Sequence, residues 1–167
     1  EVASHVDEAT ALVSVMAANN ETGVIQPTAA IIKVAHAAGA LAHVDAVQAF
    51  GRIDLDCADA DAVSAAAHKI GGPLGVGAVA MRTRCPFDAQ SLGGGQEMGR
   101  RPGTQDVAGA VAFAAAAEQV CRELPSVRPQ VEALANHIYE RICAPGTGII
   151  PTTVAHVDQT RLPGMVS

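Results

Sequence analysis

Apolar residues run almost unbroken through 11–19 (ALVSVMAAN) and stop at Asn19-Asn20. A run of this kind predicts a strand buried in a parallel sheet. A polar loop, Asn20-Glu21-Thr22-Gly23, follows. Residues 27–38 (PTAAIIKVAHAA) then place their apolar positions at helical spacing, and Gly39 supplies the stop. Residues 41–45 (LAHVD) predict a second short strand ending in an acid, and 61–66 (DAVSAA) a third. Residues 75–82 predict a fourth, of either direction. Strands alternating with a helix argue for an α/β layered fold with a mostly parallel sheet.

The pattern changes after this. Residues 91–104 (SLGGGQEMGRRPGT) form a glycine-rich loop. A helix is expected over 105–124 and a second over 127–143, with Pro129 tolerated near its start. Gly146, Gly148 and Pro151 break the pattern, and a short strand is expected from near Val154. The closing Gly164-Met165-Val166-Ser167 reads as the approach to another strand.

Composition narrows the partners. Seventeen acidic and 11 basic residues in 167 give a formal net charge of −6, and the nearest thing to a basic run is Arg100-Arg101. Nucleic acid, whose phosphates need a basic patch, is therefore not expected as a partner. No apolar stretch is long enough to predict a membrane span. Aromatic residues are 2% and Trp is absent, so the core is expected to be alanine-rich, with helices packed closely on the sheet. The start, Glu1-Val2-Ala3-Ser4-His5, has neither a signal-peptide nor a transit-peptide pattern. It also lacks Met, which fits processing or a piece of something longer.

Cys57, Cys85, Cys121 and Cys143 match no metal or redox spacing. They read as reduced thiols in a cytoplasmic setting, and no metal site is expected. The chemically richest group is Asp45, Gln48, His68 and Lys69, with Asn20 upstream. Several of these fall at or just after the carboxyl ends of expected strands, where open α/β sheets bind ligands. Lys69 is one of only two lysines, the other being Lys33, and it precedes the restricted loop Ile70-Gly71-Gly72-Pro73. A lysine disfavoured as ammonium by burial is a good nucleophile toward an aldehyde. Taken singly, Lys69 is more often a solvated loop lysine, Asp45 a turn former, and His68 a surface or core histidine. Together their chemical types fit a pyridoxal phosphate site. Lys69 takes the aldehyde, Asp45 keeps the pyridine nitrogen protonated, and Gln48 hydrogen-bonds the phenolate oxygen.

The stretches VSVMAANNETGVIQP, AHVDAVQAFGRIDLD, AAAHKIGGPLGVGAVAMR and GGGQEMGRRPGT resemble the cysteine desulfurases, within the class V aminotransferase group. The order and spacing of the motifs agree over residues 11–104. The resemblance implies the central part of the large domain of a fold type I pyridoxal phosphate-dependent transferase. It also implies the start of the small domain. The implied division is 1–104 in the large domain, 105–125 a connecting helix, and 126–167 the start of the C-terminal small domain. Lys69 matches the lysine that carries the cofactor, and His68 a histidine that helps hold its phosphate. Asp45 and Gln48 match the residues at the pyridine nitrogen and phenolate oxygen. Asn20 matches an asparagine that contacts the cofactor ring edge and the substrate carboxylate. Thr104 matches a threonine reaching the cofactor phosphate of the neighbouring subunit, so a homodimer with a cross-subunit contact through loop 93–104 is implied.

The implied reaction removes sulfur from L-cysteine, leaving L-alanine and an enzyme persulfide for transfer to an acceptor protein in iron–sulfur or thio-cofactor assembly. Two departures stand out. Ala66 occupies a position where a phosphate-binding serine is common, with Ser64 two residues back on the same strand face. None of the four cysteines matches the persulfide-forming one, which is expected beyond this segment. Selenocysteine lyase or another class V enzyme is the alternative within the group. An inactive truncated remnant that only dimerises is the alternative outside it.

Overall fold

The computed structural model describes residues 1–152 and 160–167. Its centre is a four-stranded sheet in the order β1-β2-β3-β4: β1 Leu12–Met16, β2 Leu41–Asp45, β3 Ala62–Ala66 and β4 Gly77–Met81. β1, β2 and β3 are mutually parallel and β4 is antiparallel to β3. Parallel neighbours need a crossover. Between β1 and β2 it is α1, Thr28–Ala37, whereas residues 46–61 join β2 to β3 through turns. The mostly parallel sheet expected from the sequence is present.

α1 buries Thr28, Ile31, Ile32 and Ala35, a stripe of the i, i+3, i+4, i+7 kind. It ends as expected at Gly39, whose φ of +82° closes the last turn with its N–H on His36 O. Beneath that stripe lie Ala42 and Val44 of β2, with Ala17, Ala18, Ala40, Ala49, Ala60 and Leu162 around them. Small side chains let helix and sheet approach closely, so the scarcity of aromatic residues costs the core little packing. β1 departs from expectation. It is parallel, but its burial alternates, with Leu12 53% and Met16 43% exposed. The helix covers one face of the sheet only, so the apolar run is buried on that face alone.

The long helices also differ from expectation. Residues 105–124 and 127–143 do not form two helices but one, α2, Val107–Ile142, which carries Pro125 and Pro129 inside it. Each proline removes one backbone donor from the helix ladder. Both prolines are exposed, so the carbonyls they release remain open to solvent. Nearby side chains also bond back to the backbone: Ser126 Oγ to Glu123 O (2.9 Å) and Gln130 Nε2 to Ser126 O (2.9 Å). Asp106 caps the start by accepting from Gly109 N at 2.9 Å.

The end of α2 is fastened to the loop after β1. Tyr139 is buried beneath Arg161, whose guanidinium lies 4.9 Å from the ring centroid. Arg161 pairs with Val24 in an antiparallel bridge, and Leu162 N donates to Gly23 O at 2.8 Å. Residues 165–167 follow a turn and are not in a strand. The strand expected from near Val154 lies outside the described residues.

Asp61 anchors the amino end of the sheet. Its carboxylate, 1% exposed, accepts from Ala42 N (2.9 Å), His36 Nε2 (2.8 Å) and Arg84 Nε (2.7 Å). Burial alone raises its pKa. The Ala42 N–H, then His36 and Arg84, outweigh this and lower it to about 2.

Candidate functional site

The carboxyl ends of β1 and β2 lie level, because Met16 pairs with Asp45, and β3 runs two residues past them, from Ser64 opposite Asp45 to Ala66. Ala17 N donates to Asp45 O and Ala46 N to Ser64 O, carrying the alignment past the strand ends. Asp45 is half-buried, and its Oδ1 accepts from Val47 N at 2.9 Å. That bond turns the chain at once. Ala49 N and Phe50 N both donate to Ala46 O, so a helical turn follows Asp45 and carries Gln48.

β3 leads into the 3-10 turn Ala67–Lys69. Ala67 and Ile70 are buried on either side of the exposed His68 and half-buried Lys69. Ile70 N and Gly72 N both donate to Ala67 O, at 3.0 and 2.9 Å. A Cβ at Gly72 would lie 2.9 Å from Ala67 Cβ and 3.0 Å from Ala67 O, so only glycine fits this return. Lys69 is thus held in a tight loop, as its sequence context predicts.

Gln48 and Lys69 are brought together through Arg52, which sequence reasoning did not single out. Its Nη1 donates to Gln48 Oε1 at 3.1 Å and its Nη2 to the Lys69 carbonyl at 3.4 Å. Asn20 is exposed in the loop that follows β1, on the same edge of the sheet. The residue organising that loop is its neighbour Asn19, whose Oδ1 accepts from Glu21 N (2.9 Å) and Thr22 N (2.8 Å). The polar string NNET showed a loop there but not which asparagine builds it. Thr104 is exposed on the glycine-rich loop, whose bond from Gly103 N to Gln96 Oε1 (3.2 Å) is internal to it. No hydrogen bond among the described residues ties Thr104 to the Asp45–Lys69 group.

Ser64 does not stand in for the hydroxyl missing at Ala66. It lies at the level of Asp45 and meets His43 Nε2 at 3.2 Å, while His43 Nδ1 meets Ser14 Oγ at 2.8 Å. Cys57 sits in the connection between β2 and β3. Burial, then the negative charge of Asp56, push its thiol pKa up, away from the reactive thiolate. Two surface hollows lie elsewhere. One lies between the N-terminal turn and α1, and the other involves Ile25, Thr28 and Ile53. Neither is lined by Asp45, Gln48, His68 or Lys69.

The family model described as aminotransferase class-V matches residues 1–163. A cysteine desulfurase of Bradyrhizobium diazoefficiens is 41% identical over 143 residues, covering 84% of this chain and 36% of that protein. A cysteine desulfurase IscS of an Anaeromyxobacter species is 43% identical over 161 residues, covering 94% and 39%. Among solved structures, a NifS-like protein superposes with a TM-score of 0.80 at 36% identity, covering 97% of this chain and 44% of that one. The chain spans less than half the length of each of these relatives.

Proposed function

Because this chain belongs to the aminotransferase class-V family, we propose that it supplies the cofactor-binding centre of a pyridoxal phosphate-dependent cysteine desulfurase. The observation that carries the reading is the hydrogen-bonded unit Gln48–Arg52–Lys69, which joins the turns at the carboxyl ends of the adjacent parallel strands β2, ending in Asp45, and β3. The donor set fits the cofactor group by group. A carboxylate suits a pyridine nitrogen, an amide N–H a phenolate oxygen, and an amine an aldehyde.

When bound, pyridoxal phosphate supplies an electron sink for bonds at the amino acid's α-carbon. Asp45 keeps the pyridine nitrogen protonated. Gln48 donates to the phenolate oxygen. Lys69 carries the cofactor and, once free, moves protons as general base and acid. Asn20 binds the ring edge and the substrate carboxylate. His68, and Thr104 from a second subunit through loop 93–104, serve the phosphate. L-cysteine is the substrate. Its sulfur passes to a cysteine outside these residues, a role for which the raised pKa of Cys57 does not suit it. The sulfur is then handed to an acceptor protein. The division into a large-domain part (1–104), a connecting helix (105–125) and a small-domain start (126–167) is part of the same reading. The start of α2 at Val107, just after the first boundary, supports it. A cytoplasmic setting accords with four unpaired cysteines.

The test is turnover of L-cysteine to alanine by the full-length protein that carries this chain, loaded with pyridoxal phosphate, with a dithiol reductant present to release the persulfide sulfur as sulfide. Lys69→Ala is expected to lower it by about 10²–10⁴. A strong preference for selenocysteine would make it a lyase of the same group. No turnover of either amino acid would contradict the reading.

A further inference from the structure

Arg52 joins two segments that the sheet alone does not connect. Its guanidinium reaches Gln48 in the turn after β2 and the carbonyl of Lys69 in the turn after β3. The backbone that delivers it is fixed. Gly51 has a φ of +73°, and a Cβ there would lie 2.6 Å from Val120 Cγ2 of α2 and 3.2 Å from Ile70 Cγ2. Arg52 N donates to Ala49 O at 3.0 Å, which continues the helical turn. Arg52 is half-buried, which limits competition from water for its bonds.

The donor chemistry gives this bridge a direction. A guanidinium only donates, whereas a primary amide has one oxygen acceptor and a nitrogen with two N–H donors. Facing Arg52, the Gln48 amide must present Oε1, and its Nε2 becomes the outward end. Without Arg52 the amide could turn over and offer its oxygen instead. An oxygen meeting a phenolate repels it, and an N–H stabilises it.

We propose that Arg52 is a positioning residue of this site. It locks the Gln48 amide with its N–H groups outward for the cofactor's phenolate oxygen, and it holds the Lys69 loop with its second arm. The inference rests on the pyridoxal phosphate reading above and deepens it. It also explains why a cation stands four residues after Gln48, where it meets no carboxylate in any ion pair of the described residues.

The experiment uses the full-length protein carrying this chain. It reads the pH midpoint of the absorption change of bound pyridoxal phosphate, with cofactor affinity as a second readout. An N–H donated to the phenolate favours the anion, so its loss moves the midpoint up. Arg52→Met is expected to raise the midpoint by about one unit, the size of a charge-assisted hydrogen bond lost part of the time. Arg52→Lys keeps one donor and is expected to recover part of the shift; it also serves if the Met variant does not fold. In a Gln48→Ala background, Arg52 substitution is expected to add no further shift, because the amide it orients is gone. A purely structural arginine would shift both backgrounds alike, and that result overturns the proposal. So does a wild-type midpoint in the Arg52→Met and Arg52→Lys variants when cofactor is bound. Wild-type protein that binds no pyridoxal phosphate would instead overturn the functional reading, and this inference with it.

Discussion

The two ends of the parallel strands treat their carboxylates in opposite ways. At the amino end Asp61 is almost wholly buried, and α1, β2 and the segment after β4 all donate to it. At the carboxyl end Asp45 is half-buried and accepts, among the described residues, a single bond from Val47 N. Asp61 is saturated and so has no capacity left for a ligand. Asp45 keeps acceptor positions open, and the residues around it stand on turns rather than in the core. Burial with full hydrogen bonding thus marks the end that holds the sheet together. Incomplete satisfaction marks the end at which the proposed reading places the cofactor.

Exchanging charge for a neutral amide at each end should separate the two roles. Asp45→Asn keeps size and removes the charge that holds a pyridine nitrogen protonated. Turnover of the cofactor-loaded enzyme is expected to fall about 100-fold or more, comparable to losing one preorganised electrostatic partner. Cofactor binding should survive in part and the unfolding midpoint should barely move. A single-turnover rate close to wild type would mean that Asp45 lacks this role.

Asp61→Asn should do the reverse. It leaves His36 and Arg84 facing a neutral group, and a loss of about 1–3 kcal/mol of stability is expected by denaturant unfolding. Activity per folded molecule should hold. The same carboxylate sets an acid limit. Its folded pKa of about 2 lies below the ordinary 3.8, so its contribution is complete above that ordinary value. It is lost as the pH falls through about 2. Asp61→Asn should flatten stability against pH across that window.

Much of this contrast was legible in the sequence. LAHVD is bounded by Gly39 and a turn, and it forms β2 with the expected ends, which fixes Asp45 at its terminus. The glycines after Lys69 marked a restricted loop because only they permit the return onto Ala67. What escaped notice depends on contacts distant in sequence. Arg52 appears in the chain as an ordinary loop cation, and its function depends on β3 ending beside β2. The sequence pattern divides this stretch into helices over 105–124 and 127–143, yet the exposure of Pro125 and Pro129 and the bonds of Ser126 and Gln130 let α2 continue. The exposed face of β1 could not be foreseen either, since an apolar run does not say how many of its faces a helix will cover.

In the proposed site Lys69 is the residue that holds the cofactor. The direct measurement is borohydride reduction of the full-length, pyridoxal phosphate-loaded protein, followed by peptide mapping. The predicted result is a pyridoxyl label on Lys69, in the peptide containing Ala65-Ala66-Ala67-His68. A label on Lys33 or on any other lysine, or no label in folded, cofactor-saturated protein, would contradict it.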